Sequence, residues 1–284
     1  MLLCNMQDFC NQQAMAIGEG NVPLAVAALL ASYGPDQGAY TRMAGELSTY
    51  MDASWGDHSD PPPQGPAPAN PAAAFGEKIL ARSACKVELA VELGAGLGRS
   101  LAELARGAEY VVGIDHNLGF LRCARRLLAG EPVPFLRRMS GWHFEAATAA
   151  AGDLATPTAL LVCGDALSPP LDDHAFGRVV AANLVDNVNS PTSLFTVMDD
   201  LCATGGEVIL TSPLYWSNAA TADDQRLGGS DPGQEITARW RGGVNLSTPY
   251  AIDDQCDIDW GLRYDTRTAF KYRSYYLRAR KPPP

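Results

Sequence analysis

The apolar residues of the chain occur in two patterns. Some form short runs, and others recur at helical spacing. Short, mostly apolar runs with turn residues at their ends are typical of buried parallel strands. Five such runs predict strands at Val87 to Leu93, Tyr110 to Ile114, Ala159 to Cys163, Phe176 to Ala182 and Glu207 to Thr211. Helical spacing predicts helices between them at Leu97 to Arg106, Leu118 to Ala129 and Pro191 to Cys202. This alternation predicts an α/β fold with a parallel sheet.

Two further runs near the C-terminus alternate between apolar and polar residues. They cover Cys256 to Tyr264 and Ala269 to Arg278, and the polar joint Asp265 to Thr268 separates them. Alternation around a short polar joint predicts an antiparallel hairpin. The expected fold is therefore a Rossmann-like, doubly wound sheet of seven strands, in which parallel strands are followed by the C-terminal hairpin.

The N-terminal region has a different character. Alanine- and leucine-rich segments predict helices at Val22 to Tyr33 and Ala39 to Tyr50. Ser54 to Pro71 is rich in proline and glycine, so no regular element is expected there. It is either a disordered linker or an ordered lid, and Trp55 favours the lid. We expect an N-terminal helical extension with a Pro-rich lid or linker at 1–74 and the α/β domain at 75–284.

Two connections are predicted less directly from the pattern. The segment from Glu131 to Pro157 is long, and we expect a helix in it at Glu145 to Ala151. The polar, glycine-containing segment from Ser212 to Tyr250 is expected to be loop.

Composition and charge disfavour several classes of binding partner, namely nucleic acids, membranes and metal ions. A net charge of −10 repels phosphate backbones, so no nucleic-acid partner is expected. A basic cluster is explained mostly by a solvated helix face, and its members are Arg122, Arg125, Arg126, Arg137 and Arg138. The seven cysteines form no C-x-x-C pair, the N-terminus lacks a signal-peptide pattern, and the longest apolar run is too short to span a bilayer. The four histidines are dispersed, so no metal site is expected. We therefore expect a cytoplasmic protein without a membrane partner, whose oligomeric state the sequence leaves open.

A glycine turn followed by an acid is the main functional signal. Gly94, Gly96 and Gly98 follow the first predicted strand, and Asp115 ends the second. Strand, glycine turn, helix, strand and acid make one βαβ unit with a nucleotide-type crevice at the strand ends. The dinucleotide fingerprint requires a third glycine at the position of Arg99, so that fingerprint fails.

The pattern Glu92-x-Gly94-x-Gly96-x-Gly98, with Asp115, resembles motif I of class I S-adenosylmethionine (SAM)-dependent methyltransferases. The resemblance covers about residues 75–280 and implies a methyltransferase (EC 2.1.1) that uses SAM as its cofactor. Asp165 and Ala166 are similar to the residues that contact adenine in that family, and Asn183 and Leu184 lie where its motif IV stands. The resemblance thus implies these cofactor-binding residues: Glu92, Gly94, Ala95, Gly96, Gly98, Asp115, His116, Asp165, Ala166, Asn183 and Leu184. For Asp115 and Asp165 the alternative interpretation is a turn or helix cap.

The acceptor is indicated by shorter similarities. The chain lacks the Asn-Pro-Pro-Tyr form of motif IV, which disfavours amide and exocyclic-amine acceptors. Instead, Ala182 to Asp186, Ser212 to Trp216 and Tyr50 to Asp57 are similar to the methyltransferase domain of ovothiol-biosynthesis enzymes. This resemblance implies a small polar acceptor, preferably an imidazole nitrogen or thiol of a histidine-like molecule. Candidate substrate residues are Tyr50, Trp55, Tyr215 and Trp216, and Asp186 and Asn187 are candidates for orienting the substrate.

Several alternatives stay open at this stage. The protein could be a small-molecule O-methyltransferase of a natural-product pathway, or a Rossmann-like protein that binds SAM without catalysis. Trp240 and Tyr250 could wall the acceptor pocket or simply pack the loop, and Asp186 and Asn187 could form a plain Asx turn.

Overall fold

The computed structural model describes residues 47–65, 75–76, 86–141, 143–216 and 218–283. The predicted helix at Val22 to Tyr33, and most of the predicted extension at 1–74, lie outside these residues. The described chain forms two sheets, one of seven strands and one of three. The helix at residues 47–55 is called α1 below, and the helices and strands are numbered in chain order from there.

The large sheet has the strand order β6-β3-β2-β7-β8-β10-β9. Its strands are β2 (Val87–Leu93), β3 (Ala108–Asp115), β6 (Leu160–Cys163), β7 (Phe176–Ala182), β8 (Cys202–Ser212), β9 (Ala251–Arg263) and β10 (Ala269–Arg280). The first five in this spatial order pair in parallel, whereas β10 pairs antiparallel with both β8 and β9. The predicted α/β fold, with parallel strands and a C-terminal hairpin, is confirmed.

Helices connect and cover the strands of this sheet. They are α2 (Arg99–Leu104), α3 (Leu118–Leu128), α4 (Pro191–Leu201) and α5 (Pro232–Gly242). Side chains of Asn117, Ser190 and Asp231 cap the N-termini of the last three by accepting backbone hydrogen bonds. The expectation of loop from Ser212 to Tyr250 is wrong where α5 lies. There Ile236 and Trp240 bury one face at helical spacing.

The small sheet corrects a second expectation. Its strands are β1 (Ser59–Asp60), β4 (Val133–Ser140) and β5 (His143–Ala149), in the order β1-β5-β4. The predicted helix at Glu145 to Ala151 is therefore wrong, because alternate residues of β5, including Ala147 and Ala149, face the core. The expected solvated arginine face is also wrong in part, since Arg137 and Arg138 are buried in β4.

The segment after α1 packs against the small sheet. Asp52 of α1 accepts hydrogen bonds from Arg137 at 2.7 Å and from Arg263 of β9 at 2.6 Å. The same two arginines donate to backbone carbonyls of Pro61 and Gln64. Residues 59–65 are thus ordered, with a two-residue strand where no element was expected. This buried ion-pair cluster ties α1, the Pro-rich segment, β4 and β9 together.

Two apolar cores lie on opposite faces of the large sheet. Trp55, Met51 and Phe135 belong to the first, so α1 and the small sheet complete that core. Trp240 and Tyr250 belong to the second and are buried under α5. Among the described residues, no helix is long and apolar enough to cross a membrane.

Candidate functional site

A cavity of about 660 Å³ lies at the C-terminal ends of β2, β3, β6 and β7. That volume falls within the range of roughly 300–1,000 Å³ found for small-molecule sites. In an open α/β sheet this edge is where ligands bind, because the loops after parallel strands diverge there. The cavity has two halves, one around the glycine turn and one around aromatic residues of the hairpin.

The glycine turn forms the floor of the first half. Gly94, Gly96 and Gly98 adopt φ angles of +77°, +52° and +78°, which favour glycine. A Cβ on Gly96 would meet nothing within 4 Å, so open space lies above this residue. A Cβ on Gly98 would meet Ala124 of α3 at 3.1 Å, and Gly98 does not line the cavity. Gly96 therefore leaves room for a ligand, whereas Gly98 allows close packing of the turn on α3.

Asp115 joins the end of β3 to the glycine turn. Its carboxylate accepts the backbone N–H of Gly96 at 2.8 Å and that of Asn117 at 2.7 Å. Each carboxylate oxygen has a second lone pair, so the group can also accept two hydroxyls of a ribose. The capping interpretation and the ligand interpretation are compatible here. His116 follows with an exposed side chain on the cavity wall.

Glu92 is a buried acid that faces the same half of the cavity. Only 1% of its surface is exposed, and Oε2 has no hydrogen-bond partner among the described residues. Desolvation raises the pKa of this carboxyl well above its usual range, the Ser100 hydroxyl opposes the shift, and Asp115 adds to it. An orphaned buried carboxylate is costly without a partner. A cationic ligand group, such as the α-ammonium of SAM, would supply that partner.

Asp165 and Ala166 line the far end of this half, after β6. The Asp165 carboxylate accepts the N–H of Leu167 at 2.9 Å, so it caps its own turn. Asp165 lines the cavity together with Ala166 and Leu167. Both interpretations of Asp165 thus remain in agreement with its position.

Helix α1 roofs the glycine turn. The indole Nε1 of Trp55 donates to the carbonyl of Leu97 at 2.9 Å, and Trp55 is fully buried. Arg99, which replaces the third glycine of the dinucleotide fingerprint, donates to the Ser54 carbonyl at 3.0 Å and pairs with Asp57 at 2.7 Å. The structure therefore places Trp55 in the core, not on the cavity wall where the substrate role would require it. Tyr50 does line the cavity.

The second half of the cavity is walled by aromatic rings. Trp260 of β9 and Tyr272 of β10 stack with ring centroids 4.6 Å apart, and Phe75 meets Trp260 edge-on at 5.9 Å. The ring of Tyr215 meets that of Tyr272 edge-on, with the two centroids 6.5 Å apart. Trp216 lies on the second core and not on the cavity wall. Neither Trp260 nor Tyr272 is named as a site candidate from the sequence, because only the register of β9 and β10 shows that these two side chains reach the cavity.

Polar groups at the end of β7 lie between the two halves. Asp186 is buried and accepts from Ser212 Oγ at 2.8 Å and from the Tyr215 N–H at 2.9 Å. Desolvation raises the pKa of Asp186, although these hydrogen bonds oppose the shift. Asn187 donates to the Asn183 carbonyl at 3.1 Å. Asp186 therefore holds the loop that carries Tyr215, and it lines the cavity together with Asn183, Leu184 and Asn187.

The sheet order, the glycine turn and the acid after β3 are together the arrangement of class I methyltransferases. Residues 91–210 match the family model described as a methyltransferase domain. This match shows a methyltransferase domain over these residues, with SAM as its cofactor, and a methyltransferase implies a methyl acceptor as its second substrate.

Solved structures are similar at the level of the fold. A Methanococcus maripaludis protein provisionally described as a SAM-dependent methyltransferase is 12% identical, with 86% of this chain and 94% of that chain covered and a TM-score of 0.50. A SAM-dependent methyltransferase from Methanosarcina mazei is 16% identical, with coverages of 72% and 98% and a TM-score of 0.48. Magnesium protoporphyrin IX methyltransferase from Synechocystis is 14% identical, with coverages of 74% and 77% and a TM-score of 0.46. No curated protein sequence matches the chain significantly.

The residues around the glycine turn fit the cofactor. The open space above Gly96, the orphaned Glu92 carboxylate and the spare lone pairs of Asp115 suit an amino-acid end and a ribose. When bound, SAM supplies an electrophilic methyl group on a sulfonium. Of the metal-ligating side chains in the described residues, no three or more gather into a group that could hold an ion.

Proposed function

We propose that this protein transfers a methyl group from SAM to a small polar metabolite, preferably to an imidazole nitrogen or thiol of a histidine-like molecule. The observation that carries the proposal is the continuity of one cavity, which joins the glycine turn and its acids to the stacked pair Trp260 and Tyr272. A flat heteroaromatic ring suits such a wall, because offset stacking on aromatic side chains stabilises it.

The cofactor half is proposed to hold SAM through Glu92, Asp115 and Asp165, with the backbone of Gly94, Ala95 and Gly96 beneath it. His116, Ala166 and Leu184 complete this set, Asn183 lies at its boundary with the acceptor half, and Gly98 supports the turn from behind. Methyl transfer from a sulfonium is an in-line displacement, so the protein contributes chiefly alignment and exclusion of water. The roof formed by α1 over the glycine turn supports this exclusion.

The acceptor half is proposed to bind its substrate between Tyr50, Tyr215 and the pair Trp260 and Tyr272. Asp186 and Asn187 are proposed to orient it. The raised pKa of Asp186 makes its carboxylate a better proton acceptor, which suits an acceptor that loses a proton on methylation. Asp186 also fixes Tyr215 through the backbone N–H, so its contribution includes positioning the aromatic wall.

The test is a transfer assay with isotope-labelled SAM and mass spectrometry of the products. The acceptors are a thiol-bearing histidine, L-histidine and a phenol. We expect methylation of the thiol-bearing histidine, and a rise in its KM in the variant Tyr272→Leu without change in the affinity for S-adenosylhomocysteine. Phe270→Leu, on the same strand but exposed, is the matched control. Transfer to the phenol alone would favour the O-methyltransferase alternative, and no transfer to any acceptor by cofactor-loaded protein would contradict the proposal.

A further inference from the structure

Asn183 occupies the boundary between the two halves of the cavity. It follows β7 directly and adopts a φ of +53°, a left-handed conformation that asparagine tolerates better than most residues. Its backbone N–H donates to the Thr211 carbonyl at 2.9 Å and to Thr211 Oγ1 at 3.0 Å. The backbone at this position is therefore fixed by β8.

The side-chain amide of Asn183 is fixed as well. Its Oδ1 lies 3.2 Å from Thr211 Oγ1 and 3.0 Å from Ser274 Oγ, and both hydroxyl residues are buried. Each hydroxyl already accepts one N–H, since Thr211 accepts from Asn183 and Ser274 accepts from Trp260 Nε1 at 2.8 Å. Their protons need acceptors, and Asn183 Oδ1 is the acceptor within reach of both. The amide is thus held with Oδ1 turned to the two hydroxyls.

This orientation leaves the Nδ2 group for the cavity. Within the described part of the chain, Asn183 Nδ2 donates to no protein acceptor, while Asn183 lines the cavity wall. The described residues contribute one arginine and no lysine to this wall, and that residue, Arg99, is paired with Asp57 and Glu103. A neutral donor therefore points at the place where the acceptor molecule meets the cofactor half.

We infer that Asn183 selects acceptor molecules that present an uncharged lone pair, such as an unprotonated ring nitrogen or a carbonyl oxygen, at the end of β7. The inference rests on the proposed function and deepens it. A ring that presents only N–H groups there places a hydrogen-bond donor against the Asn183 Nδ2 donor. Both groups are then left without an acceptor. Ser274 and Thr211 are positioning residues, because they act only through the orientation of the Asn183 amide. The lone pair held by Asn183 is occupied, so methyl transfer takes place at another atom of the same molecule. Where that atom is the N–H nitrogen of the ring or a thiol sulfur, its proton passes to the Asp186 carboxylate.

The first arm of the test measures the amide orientation without any ligand. In protein labelled with ¹⁵N-asparagine, the Asn183 side-chain signal is assigned by its loss in Asn183→Asp. We expect no strong nuclear Overhauser effect from its Nδ2 protons to the β protons of Ser274. A strong effect there would place Nδ2 against the hydroxyls and overturn the inference, whatever the substrate.

The second arm inverts the polarity at this point. Asn183→Asp keeps an acceptor for the two hydroxyls but turns an acceptor oxygen to the cavity. Imidazole is the probe. It is titrated calorimetrically into protein saturated with S-adenosylhomocysteine, at pH values well below and well above the pKa of an imidazole ring, which is about 6.5 in a histidine side chain. The titratable groups Glu92, Asp115, His116, Asp165 and Asp186 also line the cavity and are the same in both proteins. We therefore expect the ratio of the affinity for neutral imidazole to the affinity for imidazolium to be at least about tenfold higher in wild type than in Asn183→Asp. Asn245→Asp, an exposed asparagine with a similar positive φ, should behave as wild type.

The same preference in wild type and Asn183→Asp, or no binding of either form to wild type, would overturn the inference. Failure of the proposed function has a different signature. In that case the amide orientation and the pH-dependent preference are as expected, yet histidine-like molecules accept no methyl group in the transfer assay.

Discussion

The buried carboxyl of Glu92 is expected to have two opposite effects. Its ionisation lowers the stability of the cofactor-free protein, and its negative charge strengthens cofactor binding. Burial raises the pKa of this group above the value of 4.5 of an unperturbed glutamate. The folded protein therefore binds a proton that the unfolded chain has released once the pH exceeds about 4.5. In this window the stability of the cofactor-free protein falls as the pH rises, by about 1.4 kcal/mol for each unit of pKa shift. Above the folded-state pKa the cost stays constant.

The substitution Glu92→Gln removes this cost, because a neutral amide does not ionise and can still accept from the Ser100 hydroxyl. We expect the cofactor-free variant to unfold at a higher temperature than wild type near pH 8, and the difference to vanish near pH 4. The same change removes the negative charge facing the cavity. A hydrogen bond to a charged group contributes about 1.5–3 kcal/mol, so the Kd for S-adenosylhomocysteine should rise by roughly 10- to 150-fold.

Thermal unfolding across pH and calorimetric titration measure the two effects. Glu88→Gln is the matched control, because Glu88 lies on the same strand with its side chain exposed. A Glu92→Gln variant that is less stable than wild type at every pH, with unchanged affinity for the cofactor, would refute the reasoning about this carboxyl.

Three further predictions concern the roof and the floor of the site. Asp52→Ala leaves two buried arginines without their carboxylate partner, so the free energy of unfolding should fall by about 3–5 kcal/mol in denaturant titrations. Loss of the exposed Asp259 carboxylate should have little effect on it. Trp55→Phe loses one buried hydrogen bond to the glycine turn and should cost about 0.5–1.5 kcal/mol of stability, with weaker cofactor binding by calorimetry; unchanged affinity would argue against a roof. Gly96→Ala should lower the affinity for S-adenosylhomocysteine more than the melting temperature, and Gly98→Ala, which meets α3, should show the opposite order.

Much of the sheet could be predicted because its strands are buried on both faces. The run from Phe176 to Ala182 predicts β7 with its observed ends, and the hairpin follows from alternation around Asp265 to Thr268. The apolar content of such strands is set by the local chain alone. Local patterns of this kind therefore predict the fold class.

The elements that were missed depend on contacts distant in sequence. Strand β5 contains alanines and one glutamate, which favour a helix locally, but pairing with β4 and β1 determines its structure. Helix α5 has the cap Asp231, Pro232 at its first turn and Gly243 after its end, and these three signals could have revealed it.

The candidate site divides in the same way. The cofactor half follows from consecutive residues around the glycine turn, so its members could be named from the sequence. The acceptor half is assembled by residues from β9, β10 and the loop after β8, and their register was not predictable. Trp55 shows the difference, since a resemblance over Tyr50 to Asp57 suggested a contact with substrate, while in the structure its indole N–H donates to the glycine turn.

The most direct test of the central claim is a calorimetric titration of the purified protein with SAM, S-adenosylhomocysteine and NAD, with Asp115→Ala for comparison. The account predicts micromolar binding of the two sulfur ligands to wild type, loss of that binding in Asp115→Ala, and no binding of NAD, because Arg99 stands where the dinucleotide turn needs a glycine. Binding of NAD alone, or of none of the three, would contradict the assignment of this cavity to SAM.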